Sequence, residues 1–547
     1  MADRMRLTGA QAGIWYAQQR DEANPTHRCA EYVEITGPVS LPELDAAIRG
    51  TLAEAESLHL VFGVDGEGPW QRCAPRPVDP LPVIELRGRE DADAAACRWM
   101  RAELARPVRP AAGERLFGAA LLRVADDRVL WFLWAHHLVA DWYAFSLLQR
   151  RAADRYSGAD VGGGFGSLAA VVAEDEAYRE SDECRADRDF WLSRYADDPP
   201  VPSLADGTAG PAHRIARARG VLPAGAADGL RVLADRLGTV WPQVAIAAVA
   251  AYLRAATGAP EVVLGVPAMG RIGTAASRVP ASVVNILPLR LPVPATGRLA
   301  DLVAAVGAEL AATRPHQRYR FEQLRRDLRR VGAGRRLVGP QINVKPYQTR
   351  YRFGAATGEP RYVAAGAVED LEVTVHPCGD TLAVDIDANP DRYDEATLAA
   401  HHARLLVLLG AVADAGPDSA LADLPALTGA ERERVVVGFN DTARPVPDTT
   451  LADLVARQIA ATPDAIAVVD DGTGGTLTYR ELGAWADRIA ARLVGLGAGP
   501  GTRVAVCLPR SPELVAALVA VVRTGAAYVP LDPDYPSARI GFMLRDA

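Results

Sequence analysis

The chain has 547 residues, 49% of them apolar and 23% charged, which is ordinary for a globular protein and long enough for several domains at roughly 150 residues each. A net charge of −8 leaves no global basic field to draw it to nucleic acid. Six scattered cysteines without a CxxC pair argue against a zinc site or disulfide framework and for free thiols in a reducing, cytoplasmic setting. The start, MADRMRLTGAQAG, lacks a signal-peptide core, and no run reaches about 18 apolar residues, so no membrane span is expected.

In chain order, Leu7–Gln19 (LTGAQAGIWYAQQ) reads as a first helix with Thr8 as N-cap. Cys29–Thr36 alternates as a strand. Leu41–Leu60 is helical by the spacing of Leu44, Ala47, Ile48, Leu52, Ala55 and Leu58. Phe117–Val124 and Val129–Ala135 form a strand pair about the turn Asp126-Asp127. The second strand ends in two histidines, His136 and His137, followed by Asp141. Neighbours on a strand face opposite ways, so one histidine can face a cleft while the other braces it from the interior. Taken alone, such a doublet is more often a pair of core histidines satisfied by the backbone. A second doublet, His401-His402, lies in the helical stretch Ala396–Leu409 without a matching aspartate and reads as structural.

A helix follows over Ala144–Tyr156, then a glycine-rich loop. Glu174–Tyr195 is the passage to a second lobe. Val240–Ala256 is an apolar helix and Glu261–Pro267 a buried strand, followed by Arg271. Arg314–Arg336 carries nine arginines; a solvated helix face is the plainer reading, a docking surface for an acidic protein or a phosphate the sharper one. Pro425–Thr450 reads as a linker. Beyond it, strand and helix alternate to the end of the sequence.

His136–Asp141 (HHLVAD) resembles the HHxxxDG signature of nonribosomal peptide synthetase condensation domains, which group with chloramphenicol-acetyltransferase-like acyltransferases. One position departs: Trp142 stands where the family has glycine. Five other stretches are similar in order and spacing: Gln11 with Ile14-Trp15; Glu56, Leu58 and Phe62, a partial match; Asn285 with Leu287-Pro288; His316, Gln317, Phe321 and Glu322; and Asn343 within Gln341–Tyr347. AQAGIW, VNILPL, HQRY and INVK place the likeness nearest the enterobactin-type branch. Leu477–Leu482 and Gly525–Asp532 resemble the first two motifs of an adenylation domain. The phosphate-cradling loop and the C-terminal lysine of that family do not follow, so a truncated adenylation segment that forms no aminoacyl adenylate is expected.

The resemblance implies an α/β fold of two chloramphenicol-acetyltransferase-like lobes in a V-shaped pseudo-dimer, plus a partial adenylation segment. The lobes are expected over 1–175 and 176–424, the linker over 425–450 and the adenylation fragment over 451–547. It implies amide formation between an acyl thioester on an upstream acyl or aryl carrier protein and the amine of an aminoacyl thioester on a downstream peptidyl carrier. The donor is 2,3-dihydroxybenzoyl in a siderophore pathway or, alternatively, a peptidyl group. His137 is the implied base or amine-orienting acceptor, with His136 and an Asp141–Arg271 pair bracing its loop. Trp142, Asn285, His316 and Asn343 are the implied tunnel residues. No metal or cofactor is expected in the domain itself; 4'-phosphopantetheine arrives on the partner carriers, and the chain's own adenylation domain is a further partner. Trp142 is expected to obstruct the donor arm, which leaves open a non-catalytic, carrier-binding scaffold.

Overall fold

The structure, a computed structural model, describes residues 4–159, 162–207, 209–210, 212–332, 335–346, 349–364 and 366–547; Tyr347, from the expected Gln341–Tyr347 motif, lies outside them. Two units separate, Met1–Arg434 and Val435–Ala547.

The alternating apolar residues of Arg28–Thr36 and Arg128–His136 pair antiparallel over their whole length, Arg28 facing His136 and Thr36 facing Arg128. Phe117–Ala125 flanks the second of these, and Val83–Glu85 forms the edge beyond it. A core around Trp15, Trp131, Phe132 and Phe145 closes one lobe. Burial of such side chains supplies the main driving force for a layered fold of this kind. The helix Gly9–Arg20 lies over it, opened by a capping box between Thr8 and Gln11 that satisfies two otherwise unpaired amides. Its Trp15 is buried and stacks on Phe62 at 5.7 Å.

A second six-stranded sheet runs Asn285–Pro292, Glu261–Ala268, Gln341–Val344, Leu371–Cys378, Thr381–Ala388, Ala216–Val221. The apolar helix Trp241–Thr257, ended by Gly258 in the left-handed region, packs into its core. The helix Glu395–Asp414 is long and apolar enough to cross a membrane by length and composition. Here it is a core helix, burying Leu398, His401, His402, Leu405, Leu408, Leu409 and Val412 in the second lobe. His401 meets the Tyr252 hydroxyl at 2.6 Å and His402 the Val384 carbonyl at 2.9 Å, so the second doublet is structural. The passage Glu174–Tyr195 resolves into the helices Leu168–Glu180 and Asp182–Arg194.

One element departs from the expected boundary between lobes. The hairpin Tyr351–Phe353 and Ala356–Ala364 falls inside the stretch assigned to the second lobe, yet it completes the first sheet, antiparallel to Arg28–Thr36. Its sequence, ATGEPRYVA, hides the strand: a glycine and a proline inside it read as breakers. Gly358 is needed for packing, since a Cβ there would lie 2.8 Å from Val33 and 2.6 Å from Phe353. The hairpin is also tied to the second sheet. Tyr362 donates to Asp387 at 2.6 Å, and Arg217 bonds both Asp387 and the Val363 carbonyl.

Five of the nine arginines in the run are engaged inside the fold, while Arg314, Arg326, Arg329 and Arg335 are exposed. Arg320 donates to the Val284 carbonyl, Arg325 to Glu369, Arg330 to Asp198 and Arg336 to Asp370, while Arg318 covers the Tyr178 ring. These guanidiniums fasten loops within the lobe.

In the second unit, Arg503–Cys507 and Ala527–Leu531 pair in parallel across the helix Pro512–Arg523, and Ile466–Val469 pairs with Thr476–Thr478. Thr478 and Glu481 of the LTYREL stretch form the capping box of the helix Tyr479–Gly495. These are the β and α elements the pattern predicts.

Gly358→Val should lower the urea midpoint of unfolding by an amount equivalent to about 1–3 kcal/mol, the usual cost of overpacking. An unchanged midpoint would show that the hairpin does not pack on Val33 as described.

Candidate active site

The strand Arg128–His136 ends where its last main-chain groups are still held. His136 N–H donates to the Leu116 carbonyl at 2.7 Å and His137 N–H to the His27 carbonyl at 2.8 Å. The chain then turns, Val139 N–H reaching the His136 carbonyl at 2.9 Å. The two imidazoles part at this point.

His136 points inward and is 1% exposed. Its Nδ1 accepts from Leu138 N–H at 3.1 Å, and its Nε2 lies 3.0 Å from Gln18 Oε1. Accepting at Nδ1 requires the proton on Nε2, which then donates to Gln18. Gln18 is oriented in turn by donating through Nε2 to the carbonyls of Asp21, Glu22 and Asn24. Burial, then the neighbouring His27 and His137, holds His136 far below the usual histidine range. It is a neutral brace.

His137 is half-buried. Its Nδ1 is enclosed and, among the described residues, has no hydrogen-bond partner. Burial lowers its pKa, partly opposed by Asp141, so the ring is neutral at physiological pH. Gly366 lies against it: a Cβ there would sit 3.1 Å from the His137 Cδ2, and the backbone at Gly366 has a φ of +113°, a conformation only glycine adopts freely. Gly366 follows the crossing hairpin, so an element distant in sequence seats the ring. A third histidine, His27, is also pressed neutral, to about 4, by burial and then by His137.

Asp141 serves the loop and not the imidazole. It caps the helix Trp142–Tyr156, Oδ1 accepting from Ala144 N–H at 3.0 Å. Arg271 Nη2 donates to the same oxygen at 2.7 Å. Oδ2 accepts from Val283 and Val284 N–H at 3.0 and 3.1 Å. Arg271 spends its other Nη donors on the carbonyls of Ala276, Val279 and Ala281 and lies over the Tyr143 ring. Both side chains are nearly inaccessible, at 2% and 3%. The pair thus pins the histidine loop of one lobe to the segment entering the strand Asn285–Pro292 of the other.

The expected tunnel residues divide. Asn285 is buried and commits its amide to the backbone, donating to the carbonyls of Gln317 and Tyr319 and accepting from Phe321 N–H. It shapes a loop instead of presenting a polar group. His316 stacks on Phe190 at 3.8 Å and bonds Asp187 at 2.7 Å; these contacts lie on the connecting helix, and none joins it to His137. Asn343 is half-buried and donates weakly to Glu372 at 3.4 Å. Trp142 packs its ring on Phe145 and Tyr362, at 5.7 and 5.0 Å, with the Lys345 ammonium over it at 3.9 Å.

Sequence reasoning passed over His27 and Gly366 and took Gln18 only as part of the first helix's amphipathic turn with Ile14 and Trp15. It singled out Gln11 by resemblance, and the structure gives the reason: Gln11 Nε2 donates to the Leu138 carbonyl at 3.1 Å and exchanges amide bonds with Gln71. The first helix therefore supports the histidine loop at two points a few residues apart. Among the described residues there is no cluster of metal-ligating side chains.

Removing Asp141 strands a buried guanidinium. Asp141→Ala should destabilise the larger unit by about 3–5 kcal/mol, read as a lower melting temperature; a variant that melts like the parent would place the pair in solvent. Acid should act through the neutral histidines. His27 binds a proton more readily unfolded, near 6.5, than folded, near 4. Stability from this group is therefore complete above about 6.5 and falls as pH drops toward 4. It should lose about 2 kcal/mol between pH 7 and 5, with His136 adding to the loss, and His27→Gln should flatten this dependence in urea titrations.

The condensation-domain family profile matches residues 1–436, and the profile of AMP-binding enzymes matches residues 455–547. The chain is 41% identical to the dimodular nonribosomal peptide synthase of Bacillus subtilis over 99% of its own length and 23% of that protein. It is 42% identical to the isonitrile lipopeptide synthase of Streptomyces coeruleorubidus over 100% of its length and 37% of that protein. It is 35% identical to enterobactin synthase component F of Escherichia coli O157:H7, of which it spans 43%. The chain thus spans less than half of each of these relatives. The first condensation domain of the calcium-dependent antibiotic synthetase superposes with a TM-score of 0.73 at 33% identity, covering 78% of this chain and 99% of that one. The starter condensation domain of rhizomide synthetase superposes with a TM-score of 0.71 at 32% identity, covering 77% and 97%. The chain belongs to the condensation-domain family of nonribosomal peptide synthetases, joined to part of an AMP-binding domain.

Proposed function

We propose that the larger unit joins two carrier-bound substrates through an amide bond, with His137 acting on the attacking amine. The observation that carries this reading is the neutral, half-buried His137 imidazole, seated by the His27 carbonyl and Gly366 and, among the described residues, hydrogen-bonded to no carboxylate. In the reaction a free α-amine adds to a thioester carbonyl and the pantetheine thiolate leaves. The nitrogen gives up one proton, and the departing sulfur carries the electron pair of the broken C–S bond. A thioester is already activated, so alignment of the two reactants supplies much of the rate. A neutral imidazole accepts the amine hydrogen or the proton itself; an imidazolium does neither. The buried Asp141–Arg271 pair supports the same reading by holding the loop between the lobes where two substrates would meet.

The carriers are a proposal: an upstream acyl or aryl carrier protein and a downstream peptidyl carrier, each bringing its own phosphopantetheine. A hydroxyaryl donor such as 2,3-dihydroxybenzoyl, and with it a siderophore product, draws support from the similarity to enterobactin synthase component F. The similarity to an isonitrile lipopeptide synthase favours a fatty-acyl donor as the second reading.

The test is mass spectrometry of an aminoacyl-loaded downstream carrier after mixing with the chain and either a 2,3-dihydroxybenzoyl- or an octanoyl-loaded upstream carrier. His137→Ala should cut amide formation by about 10²–10⁴-fold, the usual range for a general base, with an unchanged melting temperature. Unchanged turnover would remove His137 from the chemistry.

A further inference from the structure

Where the crossing hairpin passes between the sheets, four side chains stack across the lobe junction. Lys345 Nζ lies 3.9 Å from the centre of the Trp142 ring and 4.9 Å from that of Tyr362. Trp142 and Tyr362 are 5.0 Å apart, and the Arg217 guanidinium covers Tyr362 at 4.6 Å. Arg217 is fully engaged with Asp387 and the Val363 carbonyl. Lys345 is not so engaged. Its main-chain N–H donates to the Val375 carbonyl at 2.9 Å, but among the described residues its ammonium has neither a hydrogen bond nor an ion pair.

The carboxylates around it are held elsewhere. Glu31 accepts from Gln149 at 3.0 Å, and Glu372 accepts from Asn343 and Thr374 at 3.4 and 3.3 Å. Burial lowers the Lys345 pKa, with Glu31 and Glu372 opposing it, and lifts that of Glu372 to about 7. Yet Lys345, Trp142, Asn343 and Glu372 all keep part of their surface open. These groups are largely withdrawn from water but not sealed from it. A cation over an aromatic face gains some attraction, but an ammonium has three donors and wants oxygen acceptors.

The wall is close to the reacting centre along the chain. Trp142 follows Asp141 directly, and the strand carrying Tyr362 leads into Gly366, which touches His137.

We propose that Lys345 is a specificity-determining residue that donates to an oxygen substituent on one of the two carrier-bound substrates, with Trp142 and Tyr362 as the wall that aims it. The assignment rests on the condensation reading above. The ligand is a hydroxyl, phenolate or carbonyl oxygen, carried either by the acyl donor or by the side chain of the aminoacyl acceptor. Trp142, at the position where the family signature has glycine, then lines a pocket instead of plugging a passage.

Two substrate pairs distinguish the sources. In the first, a 2,3-dihydroxybenzoyl donor is compared with a benzoyl donor, each against a glycyl acceptor. In the second, a seryl acceptor is compared with an alanyl acceptor, each with a benzoyl donor. The parent chain should favour the oxygenated member of one pair, and Lys345→Met should reduce that preference by about 10–100-fold in kcat/KM, the range for a hydrogen bond to a charged group. Lys345→Arg, which keeps a cationic donor, should retain part of it. Trp142→Gly should weaken the same preference; if it instead speeds every donor alike, the ring is a plug and its role as wall is lost. Equal losses for both members of each pair in Lys345→Met, or no preference in the parent, overturn the proposal. Calorimetric binding of the same acyl and aminoacyl groups, linked to their carriers through non-hydrolysable amides, gives a readout without turnover. A preference in binding that Lys345→Met abolishes, in the absence of any product, would leave the subsite standing and the condensation reading refuted.

Discussion

The buried ion pair between Asp141 and Arg271 is the constraint on which the junction depends. A carboxylate taken out of water must be compensated by fixed donors. Asp141 receives an arginine and three main-chain amides drawn from both lobes. Arg271 in turn gathers three carbonyls from the segment that follows it. Moving one lobe against the other at this point would expose a charge to an apolar setting. The histidine loop therefore keeps its position relative to the second sheet without help from the His137 ring, whose Nδ1 has no hydrogen-bond partner among the described residues.

That division of labour separates the three polar residues of the HHLVAD stretch. His136 is spent on Gln18 and Leu138, Asp141 on the loop staple, and only His137 retains an unengaged ring nitrogen and an accessible face. The two histidines are adjacent in sequence, but strand alternation sends them into unlike surroundings. One becomes scaffold, and the other is the reagent of the proposed function.

The strands 28–36, 117–125 and 128–136 and the helix 241–257 were legible because their apolar periodicity is strong and local. The histidine motif was legible as a resemblance, and the Arg271 partner came with it. What the sequence concealed is long-range. Ala356–Ala364 carries a glycine and a proline that only the neighbouring Val33 and Phe353 explain. Gly366 gives no sign of the imidazole it touches. Gln18 looks like one more polar residue on a helix until three carbonyls are seen to orient it. Asn285 and His316 match motif positions, and the structure engages their polar atoms with the backbone and with Asp187. A motif identifies a residue as needed but does not say for what.

The crossing hairpin has a consequence for how the molecule is made. The strand Arg28–Thr36 emerges early, but its neighbour on one side, Ala356–Ala364, is synthesised more than three hundred residues later. At typical elongation rates that interval lasts roughly 15–60 s, during which one edge of the first sheet is unpaired and open to the wrong partner. The last strands to close that edge also deliver the glycine that seats His137. The nascent first half thus carries its histidine loop without its final wall, which arrives only when the second half has been made.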